Sequence, residues 1–444
     1  MGGEMAAATS PRHTDSAAVG QVPHPSPSEV FSASRDHLVR RTAGVQKLLG
    51  ANDYATSANG AEVRLHSGRT AVDLGTWAAT VLGHRHPAVV AAVKRQCDQL
   101  PAAPRGLANP VTALLARRLV QLARPSRLDR VWFGANGADV VEAALKLARV
   151  TTGRTQVVAL RSGFHGRTLG ALAVSDADRY HTGLASLLRE VSFIDPSGGE
   201  ATGDAIGDRT AAVIIEIVQG SGAAEALPSA LLRRWTDAAR AAGAMVIVDE
   251  IQTGLWRCGE FSLGLSLGLD PDAVLFGKSL GGGVAPLSAL LATTRLTSPL
   301  EAQPYLHSQT FSGHPLSCAA ASATLDELPG LVEASLARVT DWLRRLGAEL
   351  AKHDDLITEV RSLGLMMSLR FHTAEQADHF VMASARAGVL LAPSDGDRTV
   401  VRVLAPLVID EAQMARAGAA LRDVCRHRSA WPLRDGGRLA HTGG

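Results

Sequence analysis

The chain has 444 residues, 46% hydrophobic and 20% charged, with 45 basic and 43 acidic side chains and a formal net charge of +2. That length exceeds what one compact core usually holds, so two or three structural units are expected. The near balance of charge gives no reason to invoke nucleic acid or an anionic membrane surface, and no stretch is long and apolar enough to span a bilayer.

Residues 1–30 are rich in Ala, Ser, Pro, Gly and His with little apolar periodicity, and read as a flexible tail. They also lack the basic region and apolar run of a secretory signal, so a cytoplasmic location is expected. Residues 31–75 look helical and then strand-like, with Asn59-Gly60 and Ser67-Gly68 as turn signals, and are expected to join a small domain. Between 76 and 330 short apolar runs alternate with helical patterns. Strands are predicted at 130–133, 155–160, 191–194, 211–217, 244–250, 273–277 and 287–293. Helices are predicted over DVVEAALKLARV and SALLRRWTDAARAAG, the second closed by Gly243 as a C-cap. This rhythm predicts an α/β large domain with a mainly parallel, seven-stranded sheet covered by helices. From residue 331 an amphipathic helix, LVEASLARVTDWLRRLGAELAKH, precedes the strand-like runs LMMSLRF and VVRVLAP. These predict a smaller α+β domain over 331–430, and residues 431–444 read as a frayed tail. Cys97, Cys258, Cys318 and Cys425 are too widely separated to form a metal cluster. Free thiols in a reducing compartment are expected.

The chemistry concentrates in AMVIVDEIQTG and AVLFGKSLGGG, which place Asp249 and Lys278 at the carboxyl ends of two buried strands. Ligands of open α/β sheets sit just beyond such ends. A carboxylate able to keep a pyridine nitrogen protonated and a lysine able to form an imine are the two groups that pyridoxal phosphate needs from a protein. The bland alternative, a helix cap and a surface lysine, fits either residue alone but not their joint order with glycines following. In FGANGADVVEAALKLAR, Gly137 and Ala138 open a helix, where free amides and the helix dipole suit a dianionic phosphate. The alternative there is an ordinary helix start capped by Asn136.

These motifs, in this order, resemble the class III aminotransferases of fold type I over residues 40 to 425. The resemblance implies that Phe164 in SGFHGRT stacks on the cofactor ring. His165 is equally readable as a structural loop histidine or a cofactor contact. Glu216 is implied in cofactor binding, Asp249 and Gln252 as partners of the pyridine nitrogen and phenolic oxygen, and Lys278 as the Schiff-base lysine. Thr310, in HSQTFSGHPLSCA, matches a threonine that reaches the phosphate in the neighbouring subunit of a homodimer with shared active sites. Arg402, in VVRVLAPLV, matches an arginine that pairs with a substrate α-carboxylate, for which a guanidinium has the bidentate geometry. Trp77 stands where relatives place a pocket aromatic, a core tryptophan being the alternative.

One loop departs from the family. Where many relatives read EPVQGEGG this chain reads EIVQGSGAA, so Ile217 replaces a proline and Ser221 replaces a glutamate that in several relatives masks the arginine matched by Arg402. Glu225 is the nearby residue that could substitute. The expected activity is transfer of an amino group from a small amino donor, an amino acid, to a ketone or aldehyde. Similarity to aminotransferases of natural-product pathways, the daptide-type included, extends the acceptor to a peptide-linked ketone. An aminomutase, racemase or decarboxylase shares the same Lys–Asp core and is the alternative, followed by a catalytically idle cofactor-binding protein. No metal site is expected.

Overall fold

The seven apolar runs expected as strands join one sheet, in the order Arg130–Gly134, Ser288–Ala292, Ala273–Phe276, Met245–Asp249, Thr210–Ile215, Gln156–Leu160, Val191–Ile194. The last five are mutually parallel, and Ser288–Ala292 alone runs against both of its neighbours. The computed structural model describes residues 24–427 except positions 51, 77, 105, 177, 189, 198–204, 221, 223 and 395. Because side chains alternate along a strand, each central strand feeds two cores. Met245 and Ile247 face one side with Ala212, Ile214 and Leu275, while Val246 and Val248 face the other with Val213, Ile215 and Phe276. Burial on both faces explains why these strands read as continuous apolar runs rather than alternating ones.

The helix Gly137–Thr152 covers the first face. Val140, Val141, Ala144, Leu145, Leu147 and Ala148 are buried, and Gly153 ends the helix in the left-handed region at φ +67°. On the other face Ser229–Ala241 buries Leu232, Trp235 and Ala239, and Gly243 follows at φ +72°, as the sequence predicts.

A second sheet, antiparallel, pairs Ile357–Leu363, Met366–Phe371, Val400–Leu404 and Ala392–Pro393. The N-terminal strands Ala55–Asn59, Glu62–Leu65 and Thr70–Asp73 form a third, completed by Val389–Leu390, whose Val389 lies opposite Val72 in parallel register. No described helix is long and apolar enough to cross a membrane.

Two expectations need correction. Residues 27–30, read as part of the tail, open a helix, Pro27–His37. There Ser26 Oγ accepts the Glu29 N–H at 3.2 Å and the Glu29 carboxylate accepts the Ser26 N–H at 2.7 Å, a capping box with proline at the first helical position. Residues 1–23 and 428–444 lie outside the described residues. The amphipathic helix expected to begin near residue 330 is the second half of one 36-residue helix, Pro315–Leu350, which runs through Pro329. The change of composition there marks a change of surroundings. The small residues Ser317, Cys318, Ala320 and Ala321 are buried in the first half, whereas the second half buries a stripe of Val339, Leu343, Leu346 and Leu350 against the Ile357–Phe371 hairpin. Leu343→Ala, at a fully buried position in that stripe, should cost about 2–5 kcal/mol, read as a lowered urea midpoint at unchanged slope.

Candidate active site

Four adjacent parallel strands end at one edge of the large sheet, at Leu160, Ile215, Asp249 and Phe276. The segments leaving those ends carry most of the residues singled out from the sequence, as the geometry of open α/β sheets favours. Asp249 Oδ2 lies 2.7 Å from His165 Nδ1, with 5% of Asp249 and 2% of His165 exposed, and Asp249 Oδ1 accepts the Ile251 N–H at 3.0 Å. His165 is held from behind by its own N–H, which donates to Ser175 Oγ at 2.8 Å. Burial alone pulls its imidazole down, but the hydrogen bond to the Asp249 carboxylate outweighs that and holds its pKa above the usual value. Glu216 accepts the Phe164 N–H at 2.8 Å and the Gly220 N–H at 3.4 Å. Burial pushes its carboxyl up to about 7 even though the nearby His165 opposes the shift.

Lys278 follows the strand Ala273–Phe276 by two residues and opens a short 3-10 turn, Lys278–Gly281. Its φ is +40°, a left-handed conformation that costs a side-chain-bearing residue energy and persists where the surroundings fix it. Nζ donates to Gln252 Oε1 at 2.6 Å, and Gln252 Nε2 donates to the Gly220 carbonyl at 3.3 Å. Arg402, 4% exposed, donates to that same carbonyl at 3.2 Å and to Pro393 O at 3.0 Å. A Cβ at position 220 would come 2.5 Å from Gln252 Nε2, so only glycine permits this approach. Burial, then the Arg402 charge, lowers Lys278 to about 8 against the opposing pull of Asp249 and Glu216.

The helix beginning at Gly137 points its first turn at the same region. The N–H groups of Gly137 and Ala138 have no preceding helical turn to bond. Asn136 Oδ1 accepts the Asp139 N–H at 3.3 Å, Asp139 accepts the Asn136 N–H at 3.1 Å, and Ser288 Oγ donates to Asn136 O at 2.7 Å. A Cβ on Gly137 would sit 3.1 Å from Ile251, and one on Gly166 would sit 2.9 Å from Ala138 Cβ. The helix start therefore abuts both the turn after Asp249 and the turn of Phe164 and His165. Phe164 is half-buried, with the Arg167 guanidinium 5.8 Å from its ring centre.

Asp249, Gln252, Lys278, Phe164, His165, Glu216, Arg402, Gly137 and Ala138 are thus brought together. Thr310 is not. It is exposed on a turn anchored by Ser312 Oγ donating to Phe133 O at 2.6 Å and by Thr112 Oγ1 donating to Gly313 O at 2.8 Å. Trp77 and Ser221 lie outside the described residues. Glu225, the alternative partner for Arg402, instead pairs with Arg361 at 2.9 Å. Reasoning from sequence missed Gly220, whose carbonyl joins Gln252 to Arg402, and Arg257, which lies in the same DEIQTGLWRCG run as Asp249. The signal for the second was a lone cation between Trp256 and Cys258 in an otherwise apolar, glycine-bounded stretch. Among the described residues no group of three or more His, Cys, Asp or Glu side chains is arranged to hold a metal ion.

Residues 50–425 match the family model for class III aminotransferases. Acetylornithine aminotransferase of Mycobacterium tuberculosis is 38% identical over 379 residues, covering 83% of this chain and 92% of that protein. Among solved structures, the ornithine aminotransferase of Toxoplasma gondii superposes with a TM-score of 0.81 at 27% identity, covering 91% of this chain and 96% of that one. A pyridoxal-phosphate-bound amine transaminase from an uncultivated Pseudomonas species gives 0.76 at 27% identity, covering 85% and 95%.

In cofactor-free protein Lys278 should half-titrate near pH 8 rather than 10.5, read as the pH dependence of its labelling by an amine reagent. Asp249→Asn removes an anion that favours the charged lysine, so it should move that midpoint further down. An upward shift would contradict the assignment of Asp249 as a charged neighbour.

Proposed function

The chain belongs to the class III aminotransferases, which are pyridoxal-phosphate-dependent, and from that premise we propose that it transfers the amino group of an amino acid to a ketone or aldehyde through Lys278 and Asp249. When bound, the cofactor supplies an aldehyde that condenses with amines and a ring that draws electrons from the reacting carbon. The residues present fit it. The Gly137 and Ala138 amides offer an anion site at a helix start with room only for small residues. The buried Asp249–His165 pair offers a carboxylate for the pyridine nitrogen, and Gln252 a hydrogen-bonding side chain for the phenolic oxygen. Phe164 supplies an aromatic face for the ring, and Glu216, beside Asp249, completes the lining. We assign Thr310 to the neighbouring cofactor of a homodimer, a role that suits its exposure.

The observation that carries this reading is Lys278 Nζ, 2.6 Å from Gln252 and lowered to about 8. An amine with that pKa is about one-tenth uncharged at pH 7, a few hundred times more than an ordinary lysine, so Nζ can accept a proton from the donor's α-carbon and return it at the acceptor. The Asp249 carboxylate, hydrogen-bonded to His165 on one oxygen and to the Ile251 N–H on the other, is assigned to the pyridine nitrogen. Arg402, at the far side of the Gly220 carbonyl, is assigned to the substrate carboxylate, with Trp77 as a pocket wall. A guanidinium has the planar, bidentate geometry that a carboxylate needs, which supports the assignment of Arg402 to a carboxylate-bearing substrate. The departure at Ser221 from the glutamate of many relatives, together with the Pro-rich N-terminal stretch, is the basis for extending the acceptor class to a ketone at a peptide end in a natural-product pathway. We place the enzyme in the cytoplasm, as the absence of disulfides among the described cysteines suits.

Borohydride treatment of the holoenzyme followed by peptide mass mapping should find the cofactor on Lys278, and attachment to another lysine rejects the assignment. Lys278→Ala should abolish turnover, whereas Asp249→Asn should retain cofactor and lose most activity. Arg402→Ala should weaken the half-reaction with a carboxylate-bearing substrate by about 2–5 kcal/mol and spare a carbonyl that lacks one. Equal losses in both halves, followed by single-turnover absorbance, would mark Arg402 as structural. A panel of amino donors against small and peptide-linked ketones tests the acceptor class.

A further inference from the structure

Arg257 lies outside every role assigned so far, yet its side chain is among the largest fully buried ones, at 1% exposure. Burying a guanidinium is costly unless something specific holds it. Among the described residues its bonds go to backbone oxygens: Nη1 donates to Ala405 O at 2.8 Å and Nη2 to Ala78 O at 3.2 Å, while Nε finds no acceptor. Burial lowers it to about 10.

The two carbonyls belong to different parts of the fold. Ala78 follows Trp77 and has φ +64°, a strained backbone position. Its carbonyl also accepts Ser279 Oγ at 2.8 Å, and Ser279 is the residue after Lys278. Ala405 follows the strand Val400–Leu404 that carries Arg402, and its N–H donates to Leu365 O at 3.1 Å. The backbone of Arg257 completes the clamp by accepting the Leu365 N–H at 2.8 Å. Gly364, at φ +56°, sits against that carbonyl so closely that a Cβ would lie 2.5 Å from it.

We propose that Arg257 is a positioning residue for the transamination site: its forked side chain fastens the segment after Trp77 and the end of the Arg402 strand to the Lys278 turn, setting the substrate pocket against the lysine. The planar fork matters because one donor group cannot reach both carbonyls. The charge acts as well. The groups facing Lys278 are Asp249 at the end of its strand, Glu216 just after the neighbouring strand, Arg402 from the small sheet, and Arg257, with Gln252 as the neutral acceptor. Arg257 itself faces Cys258, whose thiol burial pushes up to about 12.

The inference rests on Lys278 as the cofactor-bearing lysine, and the test keeps the two apart. Full-length holoenzyme and cofactor-free protein are compared for Arg257→Met, Arg257→Lys and Ser279→Ala. In Arg257→Met, kcat/KM for the amino donor should fall at least about tenfold, mainly through KM. The Lys278 labelling midpoint of the cofactor-free protein should move up, because a cation that disfavours protonated lysine is gone. Arg257→Lys should keep the midpoint near wild type but not restore kcat/KM. Ser279→Ala in the Arg257→Lys background should lose more than the product of the single losses, since both side chains hold the Ala78 carbonyl. This cycle carries the test should Arg257→Met fail to fold. Values of kcat/KM within about twofold of wild type in both Arg257 variants, or strictly multiplicative losses in the cycle, overturn the proposal. An active Lys278→Ala would sink the underlying reading instead, whereas an inactive one beside two wild-type-like Arg257 variants sinks only the positioning role.

Discussion

The His165 imidazole and the Asp249 carboxylate meet at 2.7 Å with both side chains almost wholly removed from water. Burying a carboxylate at that depth is costly unless it is paired and hydrogen-bonded. His165 and the Ile251 N–H are the partners of Asp249, and Ser175 fixes the loop from which the imidazole is offered. Glu216, on the next strand end, shows what the same environment does to a carboxyl held chiefly by backbone amides: it rises to about 7. The two carboxyl groups of one buried site thus have different partners, an imidazole for Asp249 and backbone N–H groups for Glu216. Different surroundings are the usual device by which an enzyme assigns different roles to chemically similar groups.

Lys278 depends on the same balance. Two carboxylates, Asp249 and Glu216, would hold it charged, while burial and two guanidinium groups, Arg402 and Arg257, push the other way and prevail. The backbone contributes directly. Lys278 is held at positive φ by the turn that follows a buried strand, and its amine reaches Gln252, whose amide reaches the Gly220 carbonyl. Because Arg402 donates to that same oxygen, a residue of the small sheet is tied to the lysine of the large sheet through a single carbonyl. Arg257 makes a parallel tie deeper in the molecule. The two sheets are therefore joined by side-chain-to-backbone bonds, which specify distance more sharply than apolar packing does.

A good part of this was legible in the residues. The seven strands, their parallel arrangement, the Gly243 helix stop and the positions of Asp249 and Lys278 all follow from local signals: continuous apolar runs, glycine placement, and a carboxylate or lysine directly after a strand. The start of the Pro27–His37 helix escaped notice because proline and serine lower helix propensity in a helix interior, yet cap a helix well at its first turn. The long helix through Pro329 was read as beginning where its charged face begins, since periodicity reports which side is buried and not where the backbone ends.

The sequence by itself determined the order of the strands along the chain, the chemical kinds of group at their ends, and the loop where Ser221 departs from relatives. Only the tertiary structure decided which charges meet. Glu225, close in sequence to Ser221, looks like a substitute for the missing glutamate opposite Arg402, but folding pairs Glu225 with Arg361 and turns Arg402 toward two carbonyls. His165 is tied to Asp249, 84 residues away, and Arg257 to Ala405, 148 residues away. The physical reason is the same in each case. Periodicity and capping act over a few residues and are written locally, whereas electrostatic pairing and desolvation depend on distances of a few ångströms that arise only when remote segments pack together.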